Sequence, residues 1–450
     1  MATAYKVHIV PEDTGLLKVK QTAEAAKKAE ELLQEDLEKH HVFFNEEGFH
    51  NHIPHHILAL YGTGAPPSSL QRGYDGNTSY QRPAQPTHEA VVEDLISTWE
   101  HAQRYLGKEK YYPDFLRFFQ REITTNGVQP TLLRYVFSGE PETQPVFTRL
   151  FSGLVHPLIQ LMYGLEWNQP AIIASALAQT AVHGNPMESF FVESETLSHS
   201  RSSSSPSEKM PHIVDLLQEI RSNRKLATAA RMSDANKIRD GVLTRARDEM
   251  LSIAGRVRVS PENLDEKTAE MFEACLLVAA GAAVHPTKHP KFDFFLIHHV
   301  NVSPIFPTLN AHPWIPTQTK ARLLEYKIRL DLADYAARGA PDFSPSKIAS
   351  YTPRDENNRD QKPLDIIARL HDFDDDGHAI KLGRAALICH DLVSTKYPDA
   401  GWRRIEGEDV WTRLFHLIVD SVEGPGPNWV RTCGLEEAWK DVPDAQDSKL

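Results

Sequence analysis

The chain has 450 residues, 41% of them hydrophobic, and a formal net charge of −12 from 49 basic and 61 acidic side chains. This is ample apolar material for a large core, and an acidic balance without a long basic run argues against nucleic acid and anionic membrane surfaces as partners. Three widely spaced cysteines (Cys275, Cys389, Cys433) exclude a disulfide framework or zinc ribbon. The start shows no signal pattern and the longest apolar run, Ala274 to Val284, is too short for a bilayer, so a cytoplasmic protein is expected.

Apolar residues recur with helical period along most of the chain, and alternating, β-branched strand patterns are scarce. Helices are predicted near 20–40, 53–63, 88–107, 112–122, 127–138, 148–166, 169–182, 212–222, 238–254, 262–284, 292–302, 317–337, 363–371, 378–392 and 407–422. The fold class is therefore mainly α, a single large multi-helix domain over about residues 20–425 with a metal site between helices. It is flanked by an N-terminal arm (1–19) and a C-terminal segment (426–450). The run Ser198 to Pro206 is low in complexity and predicts a mobile loop over about 196–211, and Thr352 to Lys362 predicts a surface loop.

The compositional oddity is 22 histidines, and the first predicted helices show it at once. His50-Asn51-His52-Ile53-Pro54-His55-His56 places four at a helix start. His52 and His56, spaced i and i+4, share a face beside an apolar stripe, and such a pair can grip one ion from a single helix. No glutamate follows the first histidine, so the metalloprotease motif is excluded. A polar helix start with satisfied histidines is the ordinary explanation. His156 precedes Pro157, which places it at a helix start or a kink; a buried, hydrogen-bonded histidine is the plain reading there. His298 and His299 follow an aromatic run, and His298 is favoured as the functional one.

The predicted 378–392 helix carries the sharpest signal. His378, Lys381, Leu382 and Ala385 share one face, so a lysine sits in an apolar stripe one turn from a histidine. Such a lysine either snorkels to water or loses its proton and serves as base, nucleophile or, after reaction with CO2, carbamate. A carbamate would add negative charge to a site otherwise made of histidines. No Gly-x-Gly-x-x-Gly follows a strand, and no phosphate loop, nucleophile elbow or haem-attachment motif is present.

Four blocks together resemble the questin oxidase-like family, fungal polyketide-tailoring enzymes: His50 to Tyr61, Phe151 to Glu166 around His156-Pro157-Leu158-Ile159, Phe294-Phe295-Leu296-Ile297-His298, and Asp376-Gly377-His378-Ala379-Ile380-Lys381-Leu382. They occur in the family's order, and the resemblance covers about residues 20–425. It implies oxygen-dependent cleavage of a ring carbon–carbon bond beside a quinone carbonyl of an anthraquinone. Formally this is a Baeyer–Villiger opening to a benzophenone carboxylic acid. It also implies NADPH dependence, for which this chain has no binding motif; a mononuclear non-haem iron suits the residues better.

On that reading Fe(II) is held by His156, His298, His378, one or both of His52 and His56, and a carbamate on Lys381. Six such ligands leave no position for oxygen, so one histidine, His52 or His56, is expected beside the metal rather than on it. His52, if unliganded, is the candidate to move a proton. Tyr163 is the second candidate catalytic residue, lining a flat pocket with Phe294, Phe295 and Trp167. The partners implied are O2, a small aromatic polyketide and, where electrons are needed, a separate reductase, in a mono- or dioxygenase. Two other readings use the same residues: a helical metal-dependent hydrolase with a metal-bound water, and a scaffold whose histidines are merely buried.

Overall fold

The computed structural model describes residues 1–204, 209–354 and 361–445. Among them helices carry the architecture, and extended pairing is limited to isolated bridges such as His40 with Pro83 and Phe43 with His50. The expected mainly α class is the one the chain adopts. No helix among the described residues is long and apolar enough to cross a membrane. The chain divides into two compact units. The first comprises Met1–Glu188, Pro304–Thr319 and Ala368–Arg384, and the second Ser189–Ser303, Lys320–Ile367 and Ala385–Leu450. Neither is one continuous stretch, so the Ser-rich run does not split the chain into sequential halves.

The first unit is built around the helix Pro170–Val182, which carries no charged residue and is buried at every position after Pro170. A helix without a charged face belongs at a centre. It packs on Tyr112–Asn126 and on His156–Glu166. Gly164 permits that second approach, because a Cβ there would lie 2.7 Å from Ile173 Cγ1 and 2.9 Å from its amide nitrogen. The helix Ile53–Gly62 is buried at all ten positions, between Ala23–Lys39 and Pro67–Thr78. Thr22 caps the first of these, its hydroxyl accepting from the Ala25 amide at 3.1 Å.

Pro67–Thr78 was not anticipated. Pro66-Pro67 reads as a helix stop, but Pro67 is the first helical residue, where a missing N–H and a fixed φ suit a start. The expected continuous helix over 148–166 is also broken. It resolves into Gln144–Arg149 and His156–Glu166, separated by a turn in which Gly153, Leu154 and Val155 take φ of +52°, +54° and +59°.

The second unit has Leu264–Ala283 as its buried helix, packed on Phe294–Val302. Asp293 caps the latter, Oδ1 accepting from the amides of Phe295 at 2.8 Å and Leu296 at 3.2 Å. The Ser-rich run, expected as a mobile loop, is helical from Glu188 through Ser204; 205–208 lie outside the described residues, as do 355–360 of the second expected loop. Its serines return their hydroxyls to the carbonyl one turn back (Ser202 to Ser198 at 2.9 Å, Ser203 to His199 at 3.1 Å). Ser198, buried, donates to the Val257 carbonyl at 3.0 Å. Hydroxyls satisfied within the helix do not compete for its backbone, which is why polarity alone misled here.

Candidate metal centre

Three elements of the first unit bring His52, His156 and His378 together. Each offers a ring nitrogen, and the three nitrogens lie within 4.8 Å of one another; all three residues are buried. His52 is the residue before Ile53–Gly62. The chain on either side of it is held by Asn51, whose Oδ1 accepts from the Ile53 amide at 2.9 Å while Nδ2 donates to Asp36 at 2.7 Å. His156 begins its helix, so Pro157 falls in the first turn, where no amide is needed. The left-handed Gly153–Val155 turn aims the Gly153 carbonyl at His156 Nδ1, 2.7 Å away. A β-branched residue in that region costs on the order of 1–3 kcal/mol, strain of the kind found where a side chain must be aimed. His378 starts its helix after Gly377, at φ +87°, and Asp375 caps that start by accepting from Gly377 N at 2.7 Å and Ala379 N at 2.9 Å.

One carboxylate orients two of the three rings. Asp376 Oδ2 accepts from His52 Nδ1 at 2.9 Å, and Oδ1 accepts from His378 Nδ1. Asp376 is held well below the usual carboxylate range; burial opposes this, but the His378 and His52 imidazoles beside it prevail. A carboxylate accepts only, so both Nδ1 atoms carry a proton, and in the neutral form of each ring Nε2 is the nitrogen that bears the lone pair. His156 Nδ1 likewise donates to a carbonyl. His52 Nε2 and His156 Nε2 then face each other at 2.8 Å with no hydrogen to share. Burial opposes a proton there, pushing His52 down to about 3. Two facing lone pairs in a dry site are repulsive unless a cation sits among them, so this donor set fits a metal ion.

Other expected residues fall as follows. Lys381 is buried three residues beyond His378 on the same helix. Burial lowers its ammonium to about 8 against the pull of Asp376 and Asp375. His56 is buried with Nδ1 at 3.4 Å from Asn77 Nδ2, and its ring lies where a Gly377 Cβ would go, 2.6 Å from Cγ. Tyr163 is 1% exposed, its ring stacked on His55 at 5.7 Å and under the Arg384 guanidinium at 5.4 Å. Trp167 packs on Tyr61 in the core. His298 belongs to the second unit, its Nδ1 donating to the Phe294 carbonyl at 2.6 Å, while its neighbour His299 is bound to Asp331 at 2.5 Å. Phe294 and Phe295 lie in the same unit, under Arg431 and Arg338 respectively.

Several residues escaped sequence reasoning. Asp376 reads there as turn punctuation, yet it supplies the negative charge that an all-histidine site seemed to lack; its place two residues before His378 is the one available signal. Arg384, off the face shared by His378 and Lys381, is buried in an ion pair with Glu166. His55 is fully buried, Nε2 donating to Gln160 Oε1 at 2.5 Å, which leaves Nδ1 as an acceptor without a partner among the described residues. His50 stacks on His156 at 3.9 Å and meets His183 at 2.8 Å.

Two expectations follow from this geometry. A Cβ on Gly153 would lie 2.5 Å from His183 Cε1 and 2.9 Å from His50 Cε1, at a positive φ. Gly153→Ala therefore displaces the carbonyl that holds His156, and metal content falls while helicity by circular dichroism stays near wild type; unchanged metal content would show that the turn does not aim His156. Second, burial holds His52 and His56 at about 3 and His41 and His183 at about 4, below the ordinary 6.5. The unfolded chain takes up these protons first, so stability of the metal-free protein is full above pH 6.5 and falls as pH drops through that value. Urea midpoints measured from about pH 8 to about pH 5 register the fall; a level profile contradicts it.

A family model described as questin oxidase-like matches residues 49–386. A questin oxidase of Aspergillus fumigatus is 34% identical over 455 residues, covering 98% of this chain and 100% of that protein. A Baeyer-Villiger oxidase of Pestalotiopsis fici is 35% identical over 98% of this chain and 99% of its own length. A Baeyer-Villiger monooxygenase of a Cryptosporiopsis species is 33% identical over 97% and 98%. The resemblance carried by the four sequence blocks is thereby borne out, and all four lie inside the matched span.

Proposed function

We propose, from the premise that the chain belongs to the questin oxidase-like family, that this oxidoreductase opens an anthraquinone ring beside the quinone carbonyl, at an iron held by His52, His156 and His378. The observation that carries the metal assignment is Asp376 gripping two of three converging imidazoles by Nδ1, leaving their Nε2 lone pairs inward. An orienting carboxylate behind metal-binding histidines is the usual device for fixing tautomer and raising ligand basicity. Iron(II) bound there supplies a redox-active position at which O2 can be taken up. Oxygen enters between the carbonyl carbon and the adjoining ring carbon, that bond breaks, and a benzophenone carboxylic acid results.

The chain's own residues prepare the site. Asp376 fixes the rings, and the Gly153 carbonyl fixes the third. Burial keeps water from competing for the lone pairs. His55 offers Nδ1 as a hydrogen-bond acceptor, its ring held by Gln160 and Tyr163. Lys381, buried and depressed to about 8, has the neutral amine that carbamylation needs at a mildly alkaline pH. Its carbamate would bring a carboxylate-like oxygen to a set of neutral imidazoles. Relatives named as oxidases and monooxygenases weigh against the hydrolytic reading, which is not carried further.

The test is elemental analysis of protein purified without added metal or chelator, followed by O2 uptake with an anthraquinone. About one iron per chain with substrate-dependent uptake supports the proposal; zinc, or turnover without O2, sinks it. For Lys381, bicarbonate added to metal-stripped wild type raises iron reloading, and Lys381→Ala shows low loading that bicarbonate does not rescue. Full iron and full turnover in that variant would end the carbamate idea and leave the three-histidine set standing.

A further inference from the structure

We propose that Lys327 and Cys275 are a redox pair that dioxygen joins into a covalent N–O–S bridge, cross-linking two helices of the second unit. The proposal does not depend on the metal centre. Lys327, on Thr317–Ala337, is fully buried, its Nζ held by both oxygens of Asp331 at 2.5 and 2.6 Å. An ion pair one helical turn apart would neutralise the lysine by itself. Cys275, however, reaches in from Leu264–Ala283. Its Sγ lies 3.4 Å from Nζ and donates to Asp331 Oδ2 at 3.1 Å, with Met271 Sδ 3.6 Å from Nζ. His299 Nδ1 closes the group on Asp331 Oδ1 at 2.5 Å.

Two further observations give this cluster chemistry. Ammonium, thiol and carboxylate touch one another, so the two groups to be oxidised, nitrogen and sulfur, share one contact with a proton acceptor. Beside them lies a small cavity whose walls include Ile213, Leu217 and Leu296, with Cys275, His299 and Asp331 at its polar edge. Apolar voids hold small apolar guests readily, and O2 is such a guest. Burial raises the Cys275 thiol above its usual range, so it is kept as S–H on Asp331 and is not a general thiolate nucleophile.

The step balances as thiol plus ammonium plus O2 giving S–O–NH, one water and one proton. Sulfur is oxidised to the sulfenate level and nitrogen to the hydroxylamine level, each losing two electrons, and the four electrons reduce O2. One oxygen atom stays in the bridge and the other leaves as water. The S–H and N–H protons pass to Asp331, which already contacts both groups, and the excess proton leaves by His299.

Full-length protein is held in air or anaerobically with a phosphine reductant, then digested and mapped by mass spectrometry. The expected result in air is one cross-linked species with the summed mass of the Cys275 and Lys327 peptides plus one oxygen less two hydrogens. It disappears on reduction, and tryptic cleavage after Lys327 fails in the same sample. Thiol titration of the denatured protein falls by one of the three cysteines, whereas a disulfide would remove two. Lys327→Arg keeps the ion pair but cannot form the bridge, so its three thiols survive air. Three free thiols in aerated wild type, or a disulfide or sulfinic acid at Cys275 with Lys327 unmodified, overturns the proposal.

Discussion

His378→Ala abolishes stoichiometric iron and, with it, O2 uptake on an anthraquinone. The substitution removes one of three converging nitrogens and strands a carboxylate oxygen of Asp376 that now accepts from His378 Nδ1. Losing a hydrogen-bond partner of a ligand typically costs roughly 10–100-fold in metal affinity, and losing a ligand outright costs more. Metal content by elemental analysis therefore drops to background under conditions that load wild type fully. The Asp376 side chain is 34% exposed, so water can reach the stranded oxygen and the stability penalty stays at about 1 kcal/mol or below, registered as a slightly lower urea midpoint. These two effects separate: if iron returned at high metal concentration with turnover restored, the loss would be one of affinity. Full iron and full turnover in the folded variant at ordinary concentration would remove His378 from the site.

Asp376→Asn should weaken metal binding by roughly 10–100-fold with the fold intact. The reason is tautomeric. The carboxylate accepts from both Nδ1–H groups. A carboxamide has one acceptor and one donor end, so it can accept from one ring only and must donate to the Nδ1 of the other. That second ring then carries its proton on Nε2, the nitrogen through which it would bind a metal. Competition with a chromophoric chelator measures the affinity, and the deficit should narrow with a stronger imidazole-binding ion. Wild-type affinity in Asp376→Asn would mean that the rings are oriented by their helices alone. Asp376→Glu, which keeps the charge but shifts the oxygens, distinguishes lost charge from lost placement.

Much of this protein was legible without coordinates. The helices Ile53–Gly62, Pro170–Val182, Leu264–Ala283 and Glu408–Glu423 follow from apolar period and from proline and glycine punctuation. His52, His156 and His378 stood out because each sits at a helix start in an apolar setting, and such placement is local information. The Ser198–Ser204 helix was missed because composition reports polarity but not whether each hydroxyl finds a carbonyl one turn back. The Gly153–Val155 turn was missed because no local rule asks leucine and valine to adopt positive φ; packing around His156 imposes it.

The convergence itself was not readable. His52 and Asp376 are 324 positions apart and meet by Nδ1 and Oδ2, and no periodicity couples residues at that separation. The same holds for Cys275 and Lys327, 52 positions apart in the chain and brought into contact only because two helices press them together. Sequence by itself determined which residues would be buried on helices, and hence which imidazoles and amines would be costly to leave uncompensated. Tertiary structure alone decided which ring nitrogens are held by Asp376 and by the Gly153 carbonyl, and that three imidazoles converge, because those are set by contacts between segments remote in the chain.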